Sequence, residues 1–311
     1  MDSDIKNRIE YIDLKCPVCL SDNFFKLYKA TLKKDEIPVI GYDFTDQGQK
    51  KTFSYSKCKK CTHIFANPRI KNLYKFYVDK IDENYTSNSK FRQLSYENVV
   101  NIIYKFKPSG NLLDFGSGMG DFLVPAIKKG YNCVGLELSD FSAEISKAKG
   151  HKIISKNLHE AENEFETITE EKKFDIIVMM GVIEHLEYPD KDLKKISNYL
   201  KKEGLVVLWT GDSSSIYSKI LGKRWWYYIG QHIQMFSRKS LIYLFKRNNF
   251  QLIYNNNFPY VFENHYLDMH LKRYWLYKNL FRFIIYPFLS LKKKITLSLS
   301  SEILMIYKKI N

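Results

Sequence analysis

From residue 111 onward, short apolar runs alternate with segments whose apolar positions recur every three or four residues. The runs at 111–115, 132–137, 152–154, 174–180 and 203–210 read as buried strands, and the segments near 120–129, 140–149 and 190–201 read as helices. Residues 250–258 and 302–307 add a sixth and a seventh strand. Strands and helices alternating at this period predict an α/β fold, a doubly wound, seven-stranded and mostly parallel sheet with helices on both faces. Upstream, Phe91, Leu94, Val99, Ile102, Ile103 and Phe106 mark one face of an amphipathic helix that Pro108-Ser109-Gly110 ends. The stretches 24–28 and 52–55 alternate with the period of two expected of strands. The chain therefore divides into a first unit at 1–68, a mostly helical linker at 69–110, and a large domain at 111–311. That domain carries a basic, aromatic insertion of helical pattern at about 261–300.

The first strand of the large domain runs into Leu112-Leu113-Asp114-Phe115-Gly116-Ser117-Gly118-Met119-Gly120-Asp121. A strand that stops, turns tightly and feeds a helix can bring backbone N–H groups up to a ligand where glycines keep side chains out of the way. The spacing is G-x-G-x-G, not the G-x-G-x-x-G of dinucleotide sites. Such turns also occur with no ligand. Here the next strand ends in Glu137-Leu138, where a carboxylate can take both hydroxyls of a ribose. Asp114, Glu137 and Gly181 all fall at carboxyl ends of strands, the edge at which open α/β sheets bind ligands. The two features together imply a nucleoside ligand.

Segments 112–122, 134–139 and 174–186 resemble the first, second and fourth motifs of class I S-adenosylmethionine-dependent methyltransferases. The likeness covers roughly residues 90–260 and returns at 302–309. It implies a Rossmann-like methyltransferase fold and S-adenosylmethionine as cofactor, with Asp114, Gly116, Ser117, Gly118, Gly120, Glu137, Leu138 and Gly181 around it. Many relatives carry an Asp after the third strand against the adenine amine. This chain departs from that pattern with Asn157, whose amide oxygen can accept the same hydrogen bond. In related enzymes the segment before the first strand lies over the cofactor as a lid, which makes Tyr77, Tyr85 and Tyr96 candidates for touching its methionine end.

Cys16-Pro17-Val18-Cys19 and Cys58-Lys59-Lys60-Cys61 form two C-x-x-C knuckles in matching turn contexts. Two such pairs can close a tetrahedral four-cysteine zinc site, an N-terminal zinc ribbon with no open coordination position and hence a folding role. The matching contexts favour this over a thioredoxin-like redox pair. His63 reads as a packed strand residue rather than a ligand. A knuckle pair ending in Asn67-Pro68-Arg69 ahead of a methyltransferase domain resembles a bacterial group associated with surface-polysaccharide and modified-sugar biosynthesis.

Methyl transfer from a sulfonium is an in-line displacement that needs alignment and exclusion of water. A hydroxyl acceptor also calls for a base, and histidine suits that task. His185 follows the fourth strand, with Glu184 beside it to orient a base or hold the helix start. His232 lies in a segment with Trp225, Trp226, Tyr227 and Tyr228 that leads into a Ser-started helix, a natural acceptor wall. Those aromatics fit either a core or a stacking surface for sugar rings. The Asn/Asp-Pro-Pro-Tyr motif of amino-methylating nucleic-acid enzymes is absent.

Composition adjusts this picture in three places. Lys and Arg outnumber Asp and Glu by 49 to 34. That excess fits an anionic partner or the residue usage of an AT-rich genome. Residues 265–294 hold seven Lys or Arg against Asp268 alone, interleaved with aromatics. The segment is a candidate for peripheral contact with the inner face of a membrane, for covering the acceptor site, or for pairing two subunits. No signal-peptide pattern or membrane-spanning run is visible, so a cytoplasmic location is expected. The expected function is methyl transfer to a sugar, as a nucleotide-linked sugar or lipid-carried glycan in surface-glycan biosynthesis. RNA methylation and a non-catalytic nucleotide-binding scaffold are the rivals, with nucleic acid less favoured and the oligomeric state open.

Overall fold

The computed structural model describes residues 9–34, 36, 51–76, 89–158, 160–161, 163–165, 173–263, 268, 272, 277–290, 294–298 and 300–310. In chain order the first unit holds strands β1 (Tyr11–Ile12), β2 (Phe24–Tyr28), β3 (Tyr55–Cys58), β4 (Ile64–Ala66) and β5 (Arg69–Ile70). Then come α1 (Ser89–Tyr104), β6 (Asn111–Phe115), α2 (Leu123–Lys128), β7 (Asn132–Glu137), α3 (Asp140–Ala148), β8 (Ile153–Ser155) and β9 (Phe174–Met180). The last third contributes α4 (Pro189–Asn198), β10 (Leu200–Gly211), α5 (Ile216–Leu221), β11 (Gln234–Met235), α6 (Arg238–Arg247), β12 (Phe250–Asn257), β13 (Tyr260–Glu263), α7 (Arg282–Ser290), β14 (Lys294–Leu297) and β15 (Glu302–Lys309).

The central sheet has seven strands in the order β12-β15-β10-β9-β6-β7-β8. β15 runs antiparallel to both of its neighbours, and β10, β9, β6, β7 and β8 pair in parallel. Successive residues of a strand face opposite sides, which sorts the core into two layers. Leu112, Ile176, Val178, Val207 and Ile306 meet Val99, Ile103 and Phe122 on one face. Leu113, Ile177, Met179, Val206 and Met305 meet Leu193, Leu241 and Phe245 on the other. β9 is buried everywhere but Asp175, as a strand covered on both faces must be. Ser237 caps α6 by accepting from the Ser240 N–H, with Ser240 returning the bond, which sets where the helix starts.

The first unit is not a free appendage. Its sheet has the order β11-β4-β3-β2, so a strand from the large domain completes it. Cys16, Val18, Cys19, Cys58, Cys61 and Phe65 belong to the same core as Phe236 and Leu241. Arg69, fully buried, bridges to Glu187 at 2.7 Å in the loop after β9.

Several elements shift from their expected places. The strand expected at 52–55 lies at Tyr55–Cys58, because pairing with Phe24–Tyr28 starts at Tyr55. The helix expected near 120–129 shortens to Leu123–Lys128, since the glycine turn takes up residues to 122. β10 is longer than the apolar run that signalled it, because Leu200 already pairs with Phe174. The insertion expected to be helical is framed by strands, β13 pairing antiparallel with β14, with α7 between them. Within it, residues 273–276 and 291–293 lie outside the described residues, as do Tyr77 and Tyr85 of the expected lid.

Candidate active site

β6 has β7 on one side and β9 on the other. The chain therefore leaves β6 in opposite directions, and a crevice opens at its carboxyl end. This divides the functional edge of the sheet into two halves.

The first half lies over β6, β7 and β8. Gly116, Gly118 and Gly120 adopt φ values of +75°, +52° and +80°, the left-handed region that glycine enters without strain. At Gly116 a Cβ would come within 2.6 Å of Val182, so the turn is closed to side chains on that flank. Glu137 ends β7, buried, and accepts from the Gly118 N–H at 2.7 Å and the Ser139 N–H at 2.9 Å. The carboxylate thus aims at the glycine turn from the neighbouring strand, where ribose hydroxyls can meet it. Asp114 is buried at the end of β6, and burial, with the charges of Glu137 and Asp121, pushes its carboxyl well above the ordinary range. Its Oδ2 and the Ser117 Oγ are buried with no hydrogen-bond partner. Orphaned polar atoms at a glycine turn fit a ligand that brings its own polar groups. Leu138 is exposed beside them. Asn157, after β8, is half-buried, and its Oδ1 accepts from the Glu160 N–H at 3.2 Å. Gly181, φ +73°, packs beneath Trp209 at the end of β9. Tyr96 stands between Phe122 and Phe258, at 5.4 and 6.3 Å between ring centroids.

The second half lies over β9, β10 and β15. Glu184 is buried, and its carboxylate accepts from the Tyr227 hydroxyl and, at 3.0 Å, from Thr210 Oγ1. Burial raises its pKa to about 7, partly offset by these hydrogen bonds. The rings of His185 and His232 meet edge to face at 4.8 Å. His185 Nδ1 bonds the Gln231 carbonyl at 3.0 Å, and His232 Nδ1 bonds the Tyr227 carbonyl at 2.8 Å. Burial lowers the pKa of His185 to about 4 and that of His232 well below the ordinary value, so both imidazoles are neutral at pH 7. The structure thus brings Glu184, His185 and His232 together from two distant segments.

Two further residues, Glu302 and Thr210, complete this half and had no clear signal in the sequence, whereas Tyr227 comes from the aromatic segment expected to form a wall. Glu302, the first residue of β15, is buried and accepts from Trp209 Nε1 at 2.7 Å and from the Tyr260 hydroxyl. Burial raises its pKa to about 7 as well. Thr210 and Tyr227 support Glu184. Of the aromatic run, Trp225, Tyr227 and Tyr228 are buried, and Trp226 alone is exposed. Trp225 and Tyr228 pack with Phe53 and Tyr55 of the first unit.

The four cysteines of the first unit are buried, with their sulfurs within 4.8 Å of one another. Cys16–Cys61 and Cys19–Cys58 each stand 3.5 Å apart. Thiolates about 2.3 Å from a tetrahedral zinc lie roughly 3.8 Å from each other, so the donor set fits that ion. Hydrogen bonding from Cys16 lowers the Cys61 thiol, and the same contact, with burial, raises Cys16. His63 stays outside it, donating from Nε2 to Gln234 Oε1 at 2.8 Å.

Known proteins share this architecture. The family described as "Methyltransferase domain" matches residues 89–255. The ubiquinone biosynthesis O-methyltransferase of Pelagibacter ubique is 32% identical over 193 residues, covering 55% of this chain and 80% of that protein. An uncharacterized protein of Methanocaldococcus jannaschii is 24% identical over 149 residues, 48% of this chain and 66% of that protein. Among solved structures, a methyltransferase from Archaeoglobus fulgidus superposes with a TM-score of 0.50 at 18% identity, covering 73% of this chain and 100% of that one. That likeness is one of fold.

Two measurements test this geometry. Replacing Glu137→Ala removes a charged acceptor from the ribose position, worth about 3 kcal/mol for two hydroxyl bonds, so affinity for S-adenosylhomocysteine is expected to fall on the order of 100-fold by calorimetry. Wild-type affinity in the variant would remove Glu137 from the site. Glu302 titrates near 7 when folded, against an ordinary value of about 4.3. Its stabilising contribution is complete below the lower value and is lost as pH rises through the higher one. Glu302→Gln has no such loss, so its melting temperature is expected to gain on the wild type between pH 4 and 8. Parallel curves would show that Glu302 is not held neutral.

Proposed function

Since this chain belongs to the methyltransferase-domain family and is an S-adenosylmethionine-dependent methyltransferase, we propose that it methylates a hydroxyl of a sugar carried on a nucleotide or a lipid. The observation that carries this reading is the chemistry of the second half of the site. Glu184, Glu302 and the Nε2 atoms of His185 and His232 accept hydrogen bonds, and Trp209, Tyr260 and Trp226 offer ring surface. No Lys or Arg among the described residues pairs with either glutamate. A sugar brings hydroxyl donors along its edge and C–H groups on its face, which suits such a surface. A lipid-soluble phenol is the second reading, favoured by the O-methyltransferase relative.

In this reading the first half, with Asp114, Gly116, Ser117, Gly118, Gly120, Glu137, Leu138, Asn157 and Gly181, holds the cofactor. When bound, S-adenosylmethionine supplies a methyl group on a sulfonium. The protein's part is to align the acceptor oxygen with that methyl and to exclude water. Nε2 of His232 or His185, unprotonated and oriented through Nδ1, takes the proton of the acceptor hydroxyl. Glu184 stands beside them. We also propose zinc at Cys16, Cys19, Cys58 and Cys61, where it would hold the first unit against the large domain. For a lipid-carried acceptor, the exposed Leu280, Phe283 and Ile284 near Lys278 support peripheral contact with a membrane. Among the described residues no helix is long and apolar enough to cross one.

Transfer of labelled methyl into nucleotide sugars, lipid-linked glycans, quinone-precursor phenols and total RNA tests the proposal. Label is expected in a sugar, and exclusive labelling of a phenol or of RNA would overturn it. With the responding acceptor, His232→Ala is expected to slow transfer by roughly 100-fold or more while cofactor binding is kept. Normal turnover would refute its role. Elemental analysis of the purified chain is expected to find zinc, and a Cys58→Ser chain that retains the same content would exclude the cysteine site.

A further inference from the structure

Glu184, His185 and His232 converge on one point, and we propose that they form a second metal site, separate from the cysteine cluster, for a divalent first-row transition ion. One ligand atom from each residue lies within 4.8 Å of the others. An ion about 2.1 Å from each ligand needs them roughly 3.4 Å apart in a tetrahedron, so binding would draw the three side chains together.

The hydrogen bonds fix which atoms face the ion. In both histidines the partner of Nδ1 is a backbone carbonyl, Gln231 for His185 and Tyr227 for His232. A carbonyl only accepts, so each Nδ1 carries the proton and each Nε2 keeps a lone pair. Neither Nε2 has a hydrogen-bond partner among the described residues. Histidines that bind metals are oriented in this way, by an N–H bond from the far ring nitrogen to a carbonyl or carboxylate. The carboxylate has its own support in the hydroxyls of Tyr227 and Thr210. Tyr227 thus braces two ligands at once, Glu184 through its hydroxyl and His232 through its carbonyl.

Charge points the same way. Buried Asp121, Asp190, Asp212 and Asp268 are each paired with an arginine. Glu184 has no basic partner among the described residues, and a cation in front of it would supply the missing charge. Two neutral nitrogens and one carboxylate suit zinc, iron, cobalt or manganese, whereas magnesium and calcium prefer all-oxygen shells. Three protein ligands leave at least one position open. With both Nε2 lone pairs on the ion, it is the cation that would polarise an acceptor hydroxyl, the histidines acting on that oxygen directly only when no ion is bound. That last role rests on the proposed function; the ion site itself does not.

The test uses the full chain with its cysteine site loaded and with S-adenosylhomocysteine bound, titrated with Zn2+ by calorimetry and with Co2+ by absorption. One equivalent beyond the cysteine-bound metal is expected, with cobalt bands that lack thiolate charge transfer. His185→Ala and His232→Ala are each expected to weaken that equivalent by at least about tenfold, with cysteine-bound metal and cofactor binding unchanged. Glu184→Gln, which keeps the side chain's shape, must weaken it too, and this guards against a loop disturbed by loss of an imidazole. No further equivalent at millimolar Co2+, or equal uptake by the wild type and all three variants, overturns the proposal. In that outcome slow transfer by His232→Ala would still support an acceptor-facing histidine.

Discussion

The side chain of Gln234 holds three parts of the molecule in one register. Its Oε1 accepts from His63 Nε2 at 2.8 Å, its Nε2 donates to the Leu186 carbonyl at 3.0 Å, and its backbone pairs with Phe65 in the ladder of β4 and β11. The amide is buried, and leaving either partner unsatisfied there costs about 1–3 kcal/mol. His232 lies just upstream of this residue and His185 just before Leu186, so the same amide brings the two imidazoles face to edge. Tyr55 of β3 adds a hydroxyl bond to the His232 carbonyl at 2.8 Å. The cysteine cluster, which anchors β3 and the turn before β4, therefore underlies the segment that carries His232. An element that reads as a separate folding unit is joined to the chemistry through one ladder and one buried amide.

Burial of charge organises the rest. Buried Asp121, Asp190, Asp212 and Asp268 each have an arginine partner. Three acids at the carboxyl edge of the central sheet are held differently. Asp114 under the glycine turn and Glu184 and Glu302 over β9, β10 and β15 are buried with hydroxyl, indole or backbone neighbours, and burial raises all three. A fold keeps such groups where a ligand completes them. The two halves of the edge are complementary: a glycine turn and a buried carboxylate that takes its backbone N–H groups on one side, hydrogen-bond acceptor atoms and aromatic faces on the other.

Local pattern was enough for much of this. The alternation of apolar runs and helical segments, the glycine turn with Glu137 on the next strand, and the paired C-x-x-C knuckles are each set by residues close in sequence, and the sheet, the turn and the cysteine cluster stand where those patterns put them. Boundaries moved where pairing partners, not propensity, decide them, as at Tyr55 and Leu200. The insertion moved for the same reason: its ends are held by a ladder between Tyr260 and Leu297 that no local period announces.

What the sequence determined by itself was the α/β framework, the glycine turn at the end of β6 and the cluster of thiols, because hydrophobic period, glycine conformation and ligand spacing are properties of short stretches. What only the tertiary structure decided was the half of the edge over β9, β10 and β15. Glu302 joins it because an antiparallel last strand brings its first residue to the carboxyl edge of its parallel neighbours, and Tyr227 joins it because a loop folds back over β10. The pairing of His185 with His232 depends on β11 joining β4. Those contacts arise from long-range closure of the chain, and closure leaves no mark in the residues on either side of it.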